Sequence, residues 1–111
     1  MNSTDPASKV RALNDQFRTT GRGGRIMLTQ GIQALGQTRV AEIIAKIRAF
    51  SDFNQNNDPY GEHDFAKIEH NGETIFFKID YYDRAMEFAS PDPSNAQLTT
   101  RIMTVMLAEE Y

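Results

Sequence analysis

Apolar residues recur along the chain with two different periods, and the switches between them mark out its elements. Val10, Leu13 and Phe17 are three and four residues apart, which puts them on one side of a helix, while Arg11, Asp15 and Arg18 fall elsewhere. Thr4-Asp5-Pro6 opens that helix: Asp5 can accept from free backbone N–H groups, and Pro6 at the first helical position has no N–H to lose. Gly21-Arg22-Gly23-Gly24 ends it, and the β-rich run from Arg25 to Gln30, closed by Gly31, predicts a first strand. Between Thr38 and Phe53, the residues Val40, Ile43, Ile44, Ile47 and Phe50 share one helical face, and Glu42 with Lys46 adds a pair four residues apart. The polar run from Ser51 to Pro59 then carries the chain out into a loop.

Beyond the loop the period changes to two. Asn71-Gly72 is the residue pair best suited to the positive φ angles of a two-residue hairpin turn. With those two residues as the turn, Ile68 opposes Ile75, Ala66 opposes Phe77, His70 opposes Glu73, and His63 opposes Asp80 further out. One face then carries Ala66, Ile68, Ile75, Phe77 and Ile79, and the other carries Phe65, Lys67, Phe76, Lys78 and Asp80. Asp83-Arg84 is read as a turn into a further strand from Ala85 to Ala89, stopped by Pro91-Asp92-Pro93. Ser94 with Gln97 has the spacing of a capping box, and Leu98, Ile102, Val105 and Met106 share a helical face, so the tail is expected to be a helix from Ala96 to Glu109. The fold class that results is α+β: a single antiparallel sheet of about four strands with three helices packed mainly on one face.

Composition narrows the class of function more than it identifies one. The 111 residues fit one domain spanning 1–111. Twelve Lys and Arg against fifteen Asp and Glu leave a net charge of -3, which argues against a sequence-independent grip on nucleic acid. No cysteine is present, so disulfides, thiolate nucleophiles and thiolate metal sites are excluded. The opening MNSTDPASK has no apolar signal-peptide core and no stretch approaches a membrane span, so the expected location is cytoplasmic.

The chemistry-bearing residues concentrate between positions 56 and 83, which hold seven acidic side chains, both histidines and three of the four tyrosines. Asp58-Pro59-Tyr60-Gly61-Glu62-His63-Asp64 supplies the residue types of hard-metal sites and of acid–base catalysis, but in no established metal-binding spacing. Three readings stand. The run is a structural turn whose carboxylates bind loop N–H groups; or it is a contact surface made of Asp52, Asp58, Tyr60, Glu62, His63, Asp64 and Asp80; or Glu62, His63, Asp64 and Asp80 serve a metal-assisted hydrolase. The hairpin register places His63 beside Asp80, yet no activated nucleophile accompanies them. Gly21 to Arg25 is not a phosphate loop, because it runs from helix into strand. The aromatics Phe65, Phe76, Phe77, Tyr81 and Tyr82 are better read as strand formers than as a stacking platform for nucleic acid.

The strings Asn57-Asp58-Pro59-Tyr60-Gly61-Glu62-His63-Asp64-Phe65, Phe77 to Asp83, Thr100-Arg101 and Met106 to Tyr111 resemble a family of small alphaproteobacterial proteins of unknown function. The likeness extends over nearly the whole chain, including Arg11 to Asn14 and Gly24 to Thr29. It implies membership without an activity. The family's occurrence on chromosomes, plasmids and other mobile elements implies a place in conflict between mobile DNA and host defence, such as inhibition of a CRISPR or restriction system. The expectation is therefore a non-enzymatic protein that docks, without cofactor or metal, onto a protein partner. A nucleic-acid-binding protein suits that role, because carboxylates can occupy basic sites meant for phosphate. Direct contact with nucleic acid or membrane is not expected.

Overall fold

The computed structural model of the protein describes residues 5–111; Thr4, assigned above to the helix opening, lies outside them. The elements in chain order are α1 (Pro6–Thr20), β1 (Arg25–Leu28), α2 (Gln30–Gln33), α3 (Gln37–Ala49), β2 (Phe65–His70), β3 (Glu73–Tyr82) and β4 (Thr100–Leu107). The four strands form one sheet in the order β1-β4-β3-β2, and the protein is an α+β fold with its helices on one face.

The local signals at α1 act as read. The Asp5 side chain accepts from Ala7 N, and Gly21 closes the helix in the left-handed conformation at φ 78°, its N–H returning to the Phe17 carbonyl. Gly24 serves a different need: a Cβ there would come within 2.7 Å of the Arg101 carbonyl and of the Phe17 ring, so only glycine lets β1 start this close to α1 and β4. The hairpin follows the predicted register residue for residue, with Ala66 opposite Phe77, Ile68 opposite Ile75 and His70 opposite Glu73.

Three expectations give way. The tail is a strand, not a helix: β4 runs through the centre of the sheet, antiparallel to β3 and parallel to β1. The sheet is therefore mixed rather than purely antiparallel. The helical face drawn through Leu98 and Ile102 fails because only a one-turn 3₁₀ segment, Ala96–Leu98, precedes the strand. Leu98 is 43% exposed, whereas Met103, off that face, is 1% exposed. The β-branched content of Thr99, Thr100, Ile102, Thr104 and Val105 decides the outcome once both faces of the strand are covered. Finally, residues 85–89 form no strand. Tyr82 bridges Ala89 singly, and the long connection to β4 is held by turns. The third helix is instead α2, a single turn capped by Thr29.

All three helices feed the same face of the sheet. Phe17 of α1, Ile32 of α2, and Ile43 and Ile47 of α3 pack with Ala66, Ile68, Ile75, Phe77, Ile79, Met103 and Val105. The C-terminus is latched across the start of α2: the Glu110 carboxylate accepts from Thr29 Oγ1 (2.5 Å), Gly31 N (2.9 Å) and Leu107 N (2.9 Å). These hydrogen bonds hold its carboxyl below the usual range, the Thr29 hydroxyl contributing most.

Strand and helix readings of the tail make opposite demands on neighbouring residues. Met103→Ala should cost about 2–5 kcal/mol in chemical denaturation, as for a fully buried side chain. Leu98→Ala should stay within about 0.5 kcal/mol, as for a surface site. Equal losses at the two positions would contradict the placement of β4.

Candidate functional site

The predicted site residues converge on the end of the sheet where α1 crosses the 51–64 loop, but not in the groups the sequence suggested. His63 adopts a left-handed conformation, φ 56°, which interrupts the alternation of β2 before Phe65. The strand therefore does not continue to a His63–Asp80 pair. Ile79 N donates instead to the Asp64 carbonyl at 2.8 Å, and Asp80 lies 3.5 Å from Lys78 Nζ. The expected His63–Asp80 contact is absent for this reason.

His63 turns toward the helices. Its ring stacks on Phe53 with centroids 3.9 Å apart and planes 7° from parallel. Nδ1 is 2.8 Å from Asp15 Oδ1 on α1, and Nε2 is 3.6 Å from Asp58 Oδ2. Asp58 is buried and accepts the His63 backbone N–H at 3.1 Å, which stabilises the left-handed turn. Asp15 also accepts from Arg18 Nη2 at 2.9 Å. Arg18, buried, lies over the Phe53 ring and donates Nη1 to the Ile47 and Phe50 carbonyls at 3.0 and 2.7 Å. A cation there satisfies the orphan carbonyls at the end of α3 and suits its dipole.

A second network adjoins the first and runs deeper. Arg101 Nε on β4 donates to Asn14 Oδ1 at 2.8 Å. Asn14 Nδ2 donates to the Tyr81 hydroxyl at 2.8 Å and to the Glu62 carbonyl at 2.9 Å. The Tyr81 hydroxyl donates onward to Glu62 Oε1 at 2.8 Å. Donors thus point one way, from a guanidinium through two neutral relays to a carboxylate. Arg101 also lies over the Tyr81 ring and bonds the Pro93 carbonyl. Burial pushes the Tyr81 phenol far above its ordinary value and draws the Arg101 guanidinium down. A phenol so shifted stays protonated and acts as a fixed donor, not as an acid or base near neutrality.

The partners of the candidate residues bear on the sequence readings. Glu62 is bound to Tyr81, His63 to Asp15 and Asp58, and Asp80 is paired with Lys78. Glu62, His63 and Asp80 of the hydrolase reading are thus each held by a different partner. Among the described residues, no three His, Asp or Glu side chains are grouped to hold a metal ion. Asp58 and His63 work inside the fold. Asp52 and Tyr60 remain on its surface, Tyr60 at 81% exposure.

Tyr60 caps a turn that is tied down on both sides. Gly61 N donates to the Asp58 carbonyl, and Arg11 Nη1 of α1 donates to the Gly61 carbonyl at 2.7 Å. Beside Tyr60 a groove of about 430 Å³ is lined by Pro6, Ala7, Val10 and Pro93 together with the acidic residues Asp5, Glu62 and Asp92. Sequence reasoning missed Asn14, Asp15, Arg18, Arg101 and Arg11. A signal was present for Asn14, which falls four residues after Val10 and three before Phe17, within the apolar stripe of α1. A polar residue there has to meet another polar group.

Residues 28–110 match the profile of a family described as proteins of unknown function, DUF3768, and the chain belongs to that family. The matched span contains the loop, β2, β3 and β4; α1, which supplies Asn14, Asp15 and Arg18, precedes it. No curated protein and no solved structure matches the chain. Among the described residues no helix is long and apolar enough to cross a membrane.

Burial, and next the Glu62 charge, raise the Asp64 carboxyl above its ordinary range. A folded carboxyl that holds its proton more tightly than the unfolded one contributes stability in acid and loses it as pH rises through the raised folded value. Asp64→Asn should therefore raise the melting temperature at neutral pH. That gain should vanish below the carboxylate range, where Asp64 is protonated in both states. Melts at the two pH values check this, and a loss at neutral pH would contradict it.

Proposed function

We propose that the protein is a small non-enzymatic binding protein that docks onto a macromolecular partner through the Asp52–Asp64 loop. The observation that carries the reading is the exposure of Tyr60 on a turn whose backbone is already fixed by Asp58 and Arg11. An aromatic side chain held in water by a rigid loop loses little conformational entropy on binding, and Tyr is favoured at interface centres. Asp52 and the carboxylates around the adjoining groove set the sign of the partner surface, which is basic. A protein that normally grips nucleic acid has such a surface, and a carboxylate-bearing loop would compete with phosphate there. Inhibition of a host defence nuclease, of the CRISPR or restriction type, is the activity that follows from this chemistry and from the family resemblance. A cytoplasmic site of action goes with it.

Tyr60→Ala and Asp52→Lys test the proposal cleanly, because neither side chain supports the core. Crosslinked pull-down from the native host should recover a basic, nucleic-acid-binding protein with the unaltered chain. Each substitution should reduce recovery severalfold while leaving the melting temperature unchanged. Recovery unaffected by both would move the contact surface elsewhere.

A further inference from the structure

We propose that β1 is the seam of a homodimer, in which a second copy of this chain pairs its own β1 antiparallel to the first. β1 is an edge of the sheet, with β4 its single neighbour. Thr29 N donates to the Val105 carbonyl of β4. Alternate residues of a strand direct their backbone groups to opposite sides, so Met27 and Arg25 face β4 with Thr29, while Ile26 and Leu28 face outward. Gln33 Nε2 donates to the Leu28 carbonyl at 2.8 Å, which confirms that this carbonyl points away from β4. Among the described residues no strand or side chain meets the Ile26 N–H, the Ile26 C=O or the Leu28 N–H. Such an edge is a template for another strand.

The sequence of the strand selects a second copy as the occupant. A two-fold axis at Met27 opposes Ile26 with Leu28 of the other copy, and Leu28 with its Ile26. The two outward residues on each side then exchange four backbone hydrogen bonds. The Leu28 carbonyl has a second lone pair for its new donor and need not release Gln33. Side chains agree with this register. Ile26 and Leu28 already pack against the core, so the pairing brings two apolar pairs together on the helix side of the sheet. A shallow groove of about 370 Å³, lined by Leu28, Gly36, Val40 and Ala41, lies beside the edge and would meet its symmetry mate. On the opposite face Met27, 54% exposed, would cover Met27 of the other copy. Charge does not oppose the pairing. Arg25 of each copy lies opposite Thr29, so the two arginines stand roughly 13 Å apart, beyond the Debye length of about 10 Å at moderate salt. This seam is independent of the Tyr60 surface, and its failure would leave the proposed function standing.

The chain has no cysteine, so a single one reports on the axis without competition. In the proposed pairing Met27 faces its own copy at a non-hydrogen-bonded position, where Cα atoms approach closely enough for a disulfide. Under mild oxidation of the full chain, Met27→Cys should convert largely to a disulfide-linked dimer, while Lys67→Cys, exposed on the opposite edge strand, should not. Met27→Lys and Met27→Glu should each sediment as a monomer, because like charges face one another at the axis. An equimolar mixture of the two should recover the dimer shown by the unaltered chain. The proposal is overturned if the unaltered chain sediments as a monomer, if Lys67→Cys crosslinks as readily as Met27→Cys, or if the two charge variants remain monomeric when mixed.

Discussion

Asn14 brings a primary amide to a fully buried position on the one stripe of α1 that faces the sheet, and the rest of the site is arranged to meet it. A buried amide left without partners costs about 1–3 kcal/mol for each orphaned group. Three of its four hydrogen-bonding positions are used here: two donors go to Tyr81 and the Glu62 carbonyl, and the acceptor takes Arg101. Each of those partners belongs to a different segment, β3, the loop and β4. One side chain therefore fixes how the helix, the loop and two strands sit relative to one another. Arg101 could not be buried without an acceptor for its Nε proton, and Glu62 could not be held inward without the Tyr81 donor.

The outer network repeats the logic with charge. Arg18 closes the C-terminal end of α3, Asp15 neutralises it, and His63 stands between Asp15 and Asp58 while its ring lies on Phe53. These contacts consume the buried Asp58 and the histidine that the sequence paired with Asp80. What they leave for recognition is the outside of the turn they brace, where Tyr60 is held in water. Rigidity and exposure at one point are the physical basis of the binding role proposed for this end of the sheet.

Local rules reached α1, α3 and the hairpin because each is decided within a few residues: a cap, a 3.6-residue stripe, an Asn-Gly turn. They failed at β4 because its character is set from outside. Ile102, Met103, Val105 and Met106 are buried on both faces of a central strand, and a strand covered on both sides loses the alternation that would reveal it. The His63 contact was misjudged for a related reason. The register projected from Asn71-Gly72 was sound as far as Phe65, but a left-handed residue supported by Asp58 turned the chain just beyond it. Asn14 was legible in principle as a polar residue inside an apolar stripe. Its partners, 48 to 87 positions away, were not.

If the buried amide organises this end of the fold, Asn14 and Arg101 act as one unit. A double-mutant cycle of Asn14→Ala and Arg101→Met, followed by chemical denaturation, measures this directly. Both single variants should be destabilised, and a coupling energy of about 0.5–3 kcal/mol should separate the double variant from their sum. Additive losses, or an Arg101→Met variant as stable as the parent, would contradict it.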